Sequence, residues 1–331
     1  MRHRTGIVVI GRNEGERLIA SLKSVCGHGC PVVYVDSGSS DNSAARARAM
    51  GVSVVELDAA RPFSAARARN EGFAAVTAND PTLVCVQFLD GDCTLLPGWI
   101  EGAAQAMASD PLRAVVIGPL QERLPDASVY NRLCAMEWKS PAGDLTNFGA
   151  LGGIMLVRAE VFARLEGFNE QVIAGEDSEF GVRVGLAGLK ITKIDASMAT
   201  HDADIHRFGQ WWRRSVRAGH AIGQRFSLNG RTPPYDCARE RRSVLFWGLG
   251  LPITSLALAT WTAGASLLML VVAYPVLAAR IARHRLNSGE SRSDAWLYAR
   301  FVVIAKFAEA LGLIKYHTNR IAGRFRIIEY K

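Results

Sequence analysis

The chain has 331 residues, a formal net charge of +8, 49% hydrophobic residues and six cysteines. That length supports a large buried core, and six scattered cysteines form no disulfide framework, so reduced thiols of a cytoplasmic compartment are expected. The basic charge comes without any nucleic-acid recognition motif, which excludes nucleic acid as the expected partner.

In chain order, apolar runs rich in β-branched residues occur at Ile7–Ile10, Val32–Val35, Val52–Leu57, Leu83–Leu89 and Ala114–Ile117. The first begins almost at once, so no secretory leader is expected. Helix-like stretches lie between most of these runs. Arg17–Cys26 puts Leu18, Leu22 and Val25 on one face, and Ser43–Met50 ends at Gly51, a residue suited to a helix C-terminus. The alternation predicts an α/β fold with a mostly parallel, Rossmann-like sheet flanked by helices. Ligands of such sheets bind at the carboxyl ends of the strands.

Residues 119–150 lose the pattern and read as irregular, with Pro125, Pro141 and Gly143. Strands are expected again at Ile154–Val157 and Ile191–Ile194, and helices at Ala159–Glu166 and Asp177–Leu186. Residues 227–237 read as a linker. Val244–Ala279 is almost wholly apolar and much longer than the roughly 20 residues of one membrane span. Thr262-Ala263-Gly264 near its middle predicts a hydrophobic helical hairpin, spanning or re-entrant, or a buried helix pair. Arginines such as Arg241, Arg242, Arg280 and Arg283 flank it, which suits an anionic membrane surface with both ends on the cytoplasmic side. Phe301–Tyr316 reads as an interfacial amphipathic helix.

The polar segments that follow the strands hold the candidate chemistry. After the first come Asn13 and Glu14, which can grip a base or ribose or cap the next helix. After the second comes Asp36-Ser37-Gly38-Ser39-Ser40-Asp41, either a ligand loop or a turn with an N-cap. Arg69 can pair with phosphate or lie on a solvated helix face. Strand Leu83–Leu89 delivers Asp90-Gly91-Asp92. Two carboxylates there suit a divalent cation, Mn2+ or Mg2+, of the kind that bridges to substrate phosphates. Further on, Glu176 and Asp177 sit at a helix start, where the dipole favours acids and where one acid can act as a general base. His201 is a candidate metal ligand or a structural histidine. Trp211 and Trp212 can form an interfacial belt or stack on a sugar.

These pieces, in this order, resemble the family 2 glycosyltransferases with the GT-A fold. The match runs over about residues 5–225. It rests on Asn13-Glu14, Asp36–Ser43, Ala68-Arg69-Asn70, Asp90-Gly91-Asp92, Gly152-Gly153, Glu176-Asp177 and the Trp211-Trp212-Arg213 region. The tail is similar to that of membrane-associated bacterial members with a hydrophobic hairpin and a basic end. The resemblance implies that Asn13, Glu14, Asp36 and Ser37 hold the nucleotide of a nucleotide-sugar, with uridine favoured. It puts Arg69 near the donor phosphates, Asp90 on the sugar and ribose, and Asp92 on the metal with His201. Asp177 becomes the catalytic base, and Gly153, Glu176, Trp211, Trp212 and Arg213 the acceptor side. The acceptor would be a glycan or lipid-linked hydroxyl, beside membrane lipids, at the cytoplasmic face of a bacterial inner membrane. The corresponding division is a catalytic domain over 1–226 (donor half 1–118, acceptor half 119–226), a linker over 227–243 and a membrane-associated region over 244–331.

Two departures favour transfer of a single sugar over processive synthesis. Val35-Asp36 stands where the family often has two aspartates, and Gln210-Trp211-Trp212-Arg213-Arg214 alters the order of the processive motif QxxRW. Three other readings compete. Asp90-x-Asp92-x-Thr94 also fits the nucleophile motif of haloacid-dehalogenase-like phosphatases, a nucleotidyltransferase can use a related sheet, and a non-catalytic membrane scaffold can keep a decayed fold.

Overall fold

The computed structural model describes residues 4–148 and 151–323. The basic end at 324–331 lies outside the described residues. The chain forms two compact units, Met1–Asp204 and Ile205–Lys331.

The first unit is built on strands β1 Thr5–Gly11, β2 Val32–Asp36, β3 Ser53–Glu56, β4 Cys85–Asp90, β5 Cys93–Leu95, β6 Arg113–Ile117, β7 Leu120–Glu122, β8 Gly143–Asp144, β9 Met155–Arg158, β10 Lys190–Lys193 and β11 Ala199–His201. Eight of them make one sheet in the order β3-β2-β1-β4-β9-β6-β10-β8. The half formed by β3, β2, β1 and β4 is parallel, as expected. β9 runs antiparallel to both β4 and β6, and β8 antiparallel to β10, so the sheet is mixed on its far side.

Alternation along the strands divides the core between two faces. Val8, Ile10, Val33 and Val35 join Phe88, Phe162, Phe168 and Phe180 on one face. Ile7, Val9 and Tyr34 join Leu18, Leu22, Trp99 and Met107 on the other. Each of these fully buried apolar side chains contributes about 1.5–3 kcal/mol. Trp99 is buried with its polar edge satisfied, because Nε1 donates to Gln87 Oε1 at 2.8 Å.

Strands β5, β11 and β7 form a second, three-stranded sheet in that order. The span 119–150, expected to be irregular, contains β7, β8 and the helix Val129–Glu137. That helix is started by Ser128, whose hydroxyl accepts from Asn131 N, and held by buried Leu133, Cys134 and Met136. Pro125 lies before it, in a short 3-10 turn, and therefore breaks nothing.

The second unit is helical. Phe208–Asn229 packs on Arg292–Ile321 through glycines: a Cβ on Gly219 would meet Glu309 O at 2.0 Å, and one on Gly312 would meet Val216 O at 2.0 Å. Only glycine lets the two backbones approach so closely. With this packing the compact units divide at 204/205, whereas the expected catalytic domain ran to 226. The expected linker is also shorter, since the helix runs to Asn229 and Asp236 is tied to Arg225 by a buried ion pair at 2.6 Å. Phe301–Tyr316 is part of the longer helix. It buries Ala308, Ala310, Gly312, Leu313 and Tyr316, so it is a packing element as well as a partly exposed one.

The apolar stretch does break where expected. Leu251–Ala257 ends in a turn through Gly264 at φ 86°, and the chain returns as Leu268–Asn287. The arms are joined by Ser266 Oγ donating to Ser255 O and Tyr274 OH donating to Trp247 O. Among the described residues, one helical stretch, Ala265–Asn287, is long and apolar enough to cross a membrane. Leu268, Val271 and Val272 on it are exposed.

His220, on Phe208–Asn229, is buried edge-on against Tyr316 at 5.3 Å. Burial, then the charge of Lys315, lower its pKa from 6.5 to about 4. The unfolded chain therefore takes up this proton near 6.5 and the folded chain only near 4. The stability tied to the neutral ring is full above the higher value and is lost progressively as the pH falls from it to the lower one. Denaturant midpoints of the purified chain should fall between about pH 7 and pH 4, and His220→Leu should flatten that fall.

Candidate active site

Asn13 follows β1, in the left-handed region at φ 56°. Its Oδ1 accepts from Ser40 N at 2.7 Å, and its own N donates to Ser39 Oγ at 2.9 Å. Asp36, buried at the end of β2, accepts from Tyr34 OH at 2.7 Å and from the backbone N–H of Gly38 and Ser39. The loop after β2 is thus built by Asp36 and clamped to the end of β1 by Asn13. Burial and the Asp36 contact push the Tyr34 phenol above its ordinary pKa. Ser37 N donates to Gly11 O, closing the same seam. Glu14 is paired with Arg17 at 3.0 Å, and its Cγ lies where a Cβ on Gly91 would come within 3.2 Å. Glycine at 91 thus relieves a tight approach where the strand-end turn lies close against β1.

Asp90 and Asp92 stand at the end of β4, as expected. Asp90 Oδ1 accepts from Arg69 Nη2 at 2.6 Å. Arg69 Nη1 donates to Glu176 Oε1 at 2.7 Å. Its guanidinium is 3% exposed and passes 5.7 Å from the Phe168 ring centre. Burial alone would depress its pKa, but Asp90, Glu176 and Asp177 together hold it above the ordinary arginine value. Arg69, expected near the donor phosphates, thus spends its fork on two carboxylates inside the protein. Glu176, expected on the acceptor side, is buried on Arg69. Gly153, also expected there, backs the same guanidinium: a Cβ would meet Arg69 Nη2 at 2.0 Å. Asp177 follows Glu176 in the first turn of Glu176–Leu186, half-buried, where the helix dipole favours a carboxylate.

On the other side of Asp90, the small sheet pairs His201 of β11 with Cys93 of β5. His201 Nε2 lies 3.6 Å from Asp92 Oδ2. Ligand atoms of Asp92, Cys93 and His201 fall within 4.8 Å of one another. The Cys93 thiol donates to Asp92 Oδ1 at 3.4 Å. The neighbourhood is acidic: Arg17 feels Glu14, Asp204, Asp92 and Asp202, and these outweigh its partial burial to raise its pKa. Such a cluster would repel a diphosphate unless a cation intervened. A carboxylate and an imidazole beside one another are donors that fit Mn2+, and Mg2+ through the carboxylate.

Sequence reasoning missed two groups here. Glu122 of β7 lies 3.7 Å from His201 Nδ1 with its side chain fully buried, and the Trp138 ring stands edge-on to His201 at 4.6 Å. Trp211, Trp212 and Arg213 belong to the second unit. Trp211 is buried there against Phe208 and Phe301, Trp212 stacks on Phe208 at 5.7 Å, and Arg213 is exposed.

Residues 6–163 match the family described as "Glycosyl transferase family 2". Residues 135–207 match the one described as "N-terminal domain of galactosyltransferase". No protein of curated function is detectably similar in sequence. Among solved structures, the mannosyltransferase PcManGT from Pyrobaculum calidifontis, in complex with GDP-Man and Mn2+, superposes with a TM-score of 0.64 at 20% identity. The match covers 96% of this chain and 88% of that one. Residues 1–349 of S. aureus TarS give a TM-score of 0.49 at 15% identity, covering 97% and 92%. The likeness to PcManGT shows a shared GT-A fold.

Proposed function

This chain belongs to glycosyl transferase family 2, and on that footing we propose that it moves a single sugar from a nucleotide-sugar to an acceptor hydroxyl with inversion. The observation that carries this reading is the meeting of Asp90, Asp92 and His201 beside the strand ends, with Arg69 tying Asp90 to the helix that begins Glu176-Asp177. The donor is a UDP-sugar in the first instance, with the nucleotide held at the Asn13 and Asp36 loops. The acceptor is a lipid-linked or cell-envelope glycan. The exposed apolar stretch Ala265–Asn287 and its arginine flanks support membrane lipids as partners and the cytoplasmic face of a bacterial inner membrane as the location.

Asp177 takes the proton from the acceptor hydroxyl as its oxygen forms the bond to the anomeric carbon. The bond from that carbon to the diphosphate oxygen breaks, and the proton stays on the Asp177 carboxyl until solvent removes it. Asp90, held by Arg69, orients the sugar and ribose hydroxyls. Asp92 and His201 would hold a divalent cation, which supplies charge neutralisation to the departing diphosphate.

Nucleotide release from a panel of UDP- and GDP-sugars, with and without a chelator, tests this directly. The expected result is turnover of one donor that stops when the metal is removed. No metal-dependent turnover of any donor would sink the proposal. Asp92→Ala should weaken donor binding in the presence of Mn2+ by about tenfold or more. Unchanged affinity by calorimetry would remove Asp92 from the metal.

A further inference from the structure

We propose that Glu122 is the positioning residue of His201, holding the proton on Nδ1 so that the Nε2 lone pair is the one offered beside Asp92. The inference rests on the metal reading above and goes beyond it, because Glu122 lies behind His201, outside the group of ligand atoms around Asp92. Strands β7 and β11 run parallel with His201 opposite Glu122. His201 Nδ1 is buried with no hydrogen-bond partner, and Glu122 Oε2 is 3.7 Å away. At that range the contact is electrostatic rather than a hydrogen bond; the Asp92 carboxylate faces the other ring nitrogen at similar range, but the fully buried Glu122 charge is the less screened of the two and favours the proton on Nδ1.

The two oxygens of Glu122 are not equivalent. Oε1 accepts from Leu124 N at 3.2 Å and from Asn131 Nδ2 at 3.3 Å. Ala203 N reaches both oxygens, at 3.4 Å from Oε1 and 3.2 Å from Oε2. Oε1 carries Leu124 N and Asn131 Nδ2, and Oε2, which shares Ala203 N, is the oxygen turned to the imidazole. On the far side of the ring, Nε2 faces Asp92 Oδ2 at 3.6 Å, while Trp138 packs edge-on against it. A neutral imidazole has one N–H and one lone pair, and only the lone-pair nitrogen can ligate a cation. The carboxylate selects the tautomer that leaves the lone pair on the Asp92 side.

Glu122→Gln separates this role from a purely structural one. Leu124 N and Asn131 Nδ2, which reach Oε1 alone, keep the amide oxygen there, so the amide NH2 is presented to Nδ1. That favours the opposite tautomer, with the proton on Nε2. Two measurements on the metal-free full chain read it: 15N NMR of labelled histidine for the tautomer, and Mn2+ titration followed by electron paramagnetic resonance. The expected result is a shift to the Nε2–H form and a loss of Mn2+ affinity of about 10–100-fold. Adding Glu122→Gln to His201→Ala should then cause no further loss.

Retention of the Nδ1–H form and of parental Mn2+ affinity in Glu122→Gln, while His201→Ala loses affinity, would overturn the proposal and leave Glu122 a structural group. Parental affinity in both Asp92→Ala and His201→Ala would overturn the metal reading and this inference with it. If Glu122→Gln does not fold, Glu122→Asp carries the test. It keeps the charge, so the Nδ1–H form must persist, and its loss overturns the proposal.

Discussion

Asp177→Asn is expected to lower sugar transfer by about a hundred- to ten-thousand-fold, the usual contribution of a general base, while donor binding stays nearly unchanged. Asparagine has the same shape but cannot hold the proton. The local structure should survive, because Arg69 keeps both of its directly bonded partners, Asp90 and Glu176. Donor affinity by calorimetry and transfer by nucleotide release separate the two effects. Full retained activity would remove Asp177 from the reaction.

Arg69→Ala should produce the largest loss of stability in the first unit. Its guanidinium and the Glu176 carboxylate are both buried, and Asp90 is partly so. Removing one partner of a buried ion pair leaves an unpaired charge and costs about 3–5 kcal/mol. For a domain of this size, that is a melting-temperature drop of roughly 6–20 °C. Lysine should rescue little, since one ammonium cannot replace a fork that reaches two carboxylates. Pairing Arg69→Ala with Glu176→Gln should recover part of the loss, because the stranded charge goes with it. Thermal melts of the four proteins check this. A drop of under about 2 °C in Arg69→Ala would show that the pair contributes little.

The strands β1, β2, β4 and β6 were legible in the sequence because runs such as Ile7–Ile10 combine β-branched residues with strand length. Asp90 and Asp92 were legible because they end such a run. The family match then set aside the phosphatase, nucleotidyltransferase and scaffold readings that the same residues allowed. The burial of Arg69 was not legible: beside Arg67 on an alanine-rich helix it resembles a solvated charge. Its partners stand 21 and 107 residues away in the chain. Glu122 was hidden for a related reason. β5, β7 and β11 have three residues each, too few to show a period, and only their pairing puts Glu122 against His201. The division into compact units at 204/205 was not legible, because the glycines that let Phe208–Asn229 pack on Arg292–Ile321 look like ordinary helix weaknesses until both helices are in place.

The order β5-β11-β7 has a consequence for biosynthesis. The central strand of that small sheet is the last of the three to leave the ribosome, and it carries His201. A nascent chain that has already made Asp92 and Glu122 has the two outer strands but nothing to join them. Asp92, Cys93, Glu122 and His201 are therefore brought together in one step, when residues 199–201 slot between partners made long before.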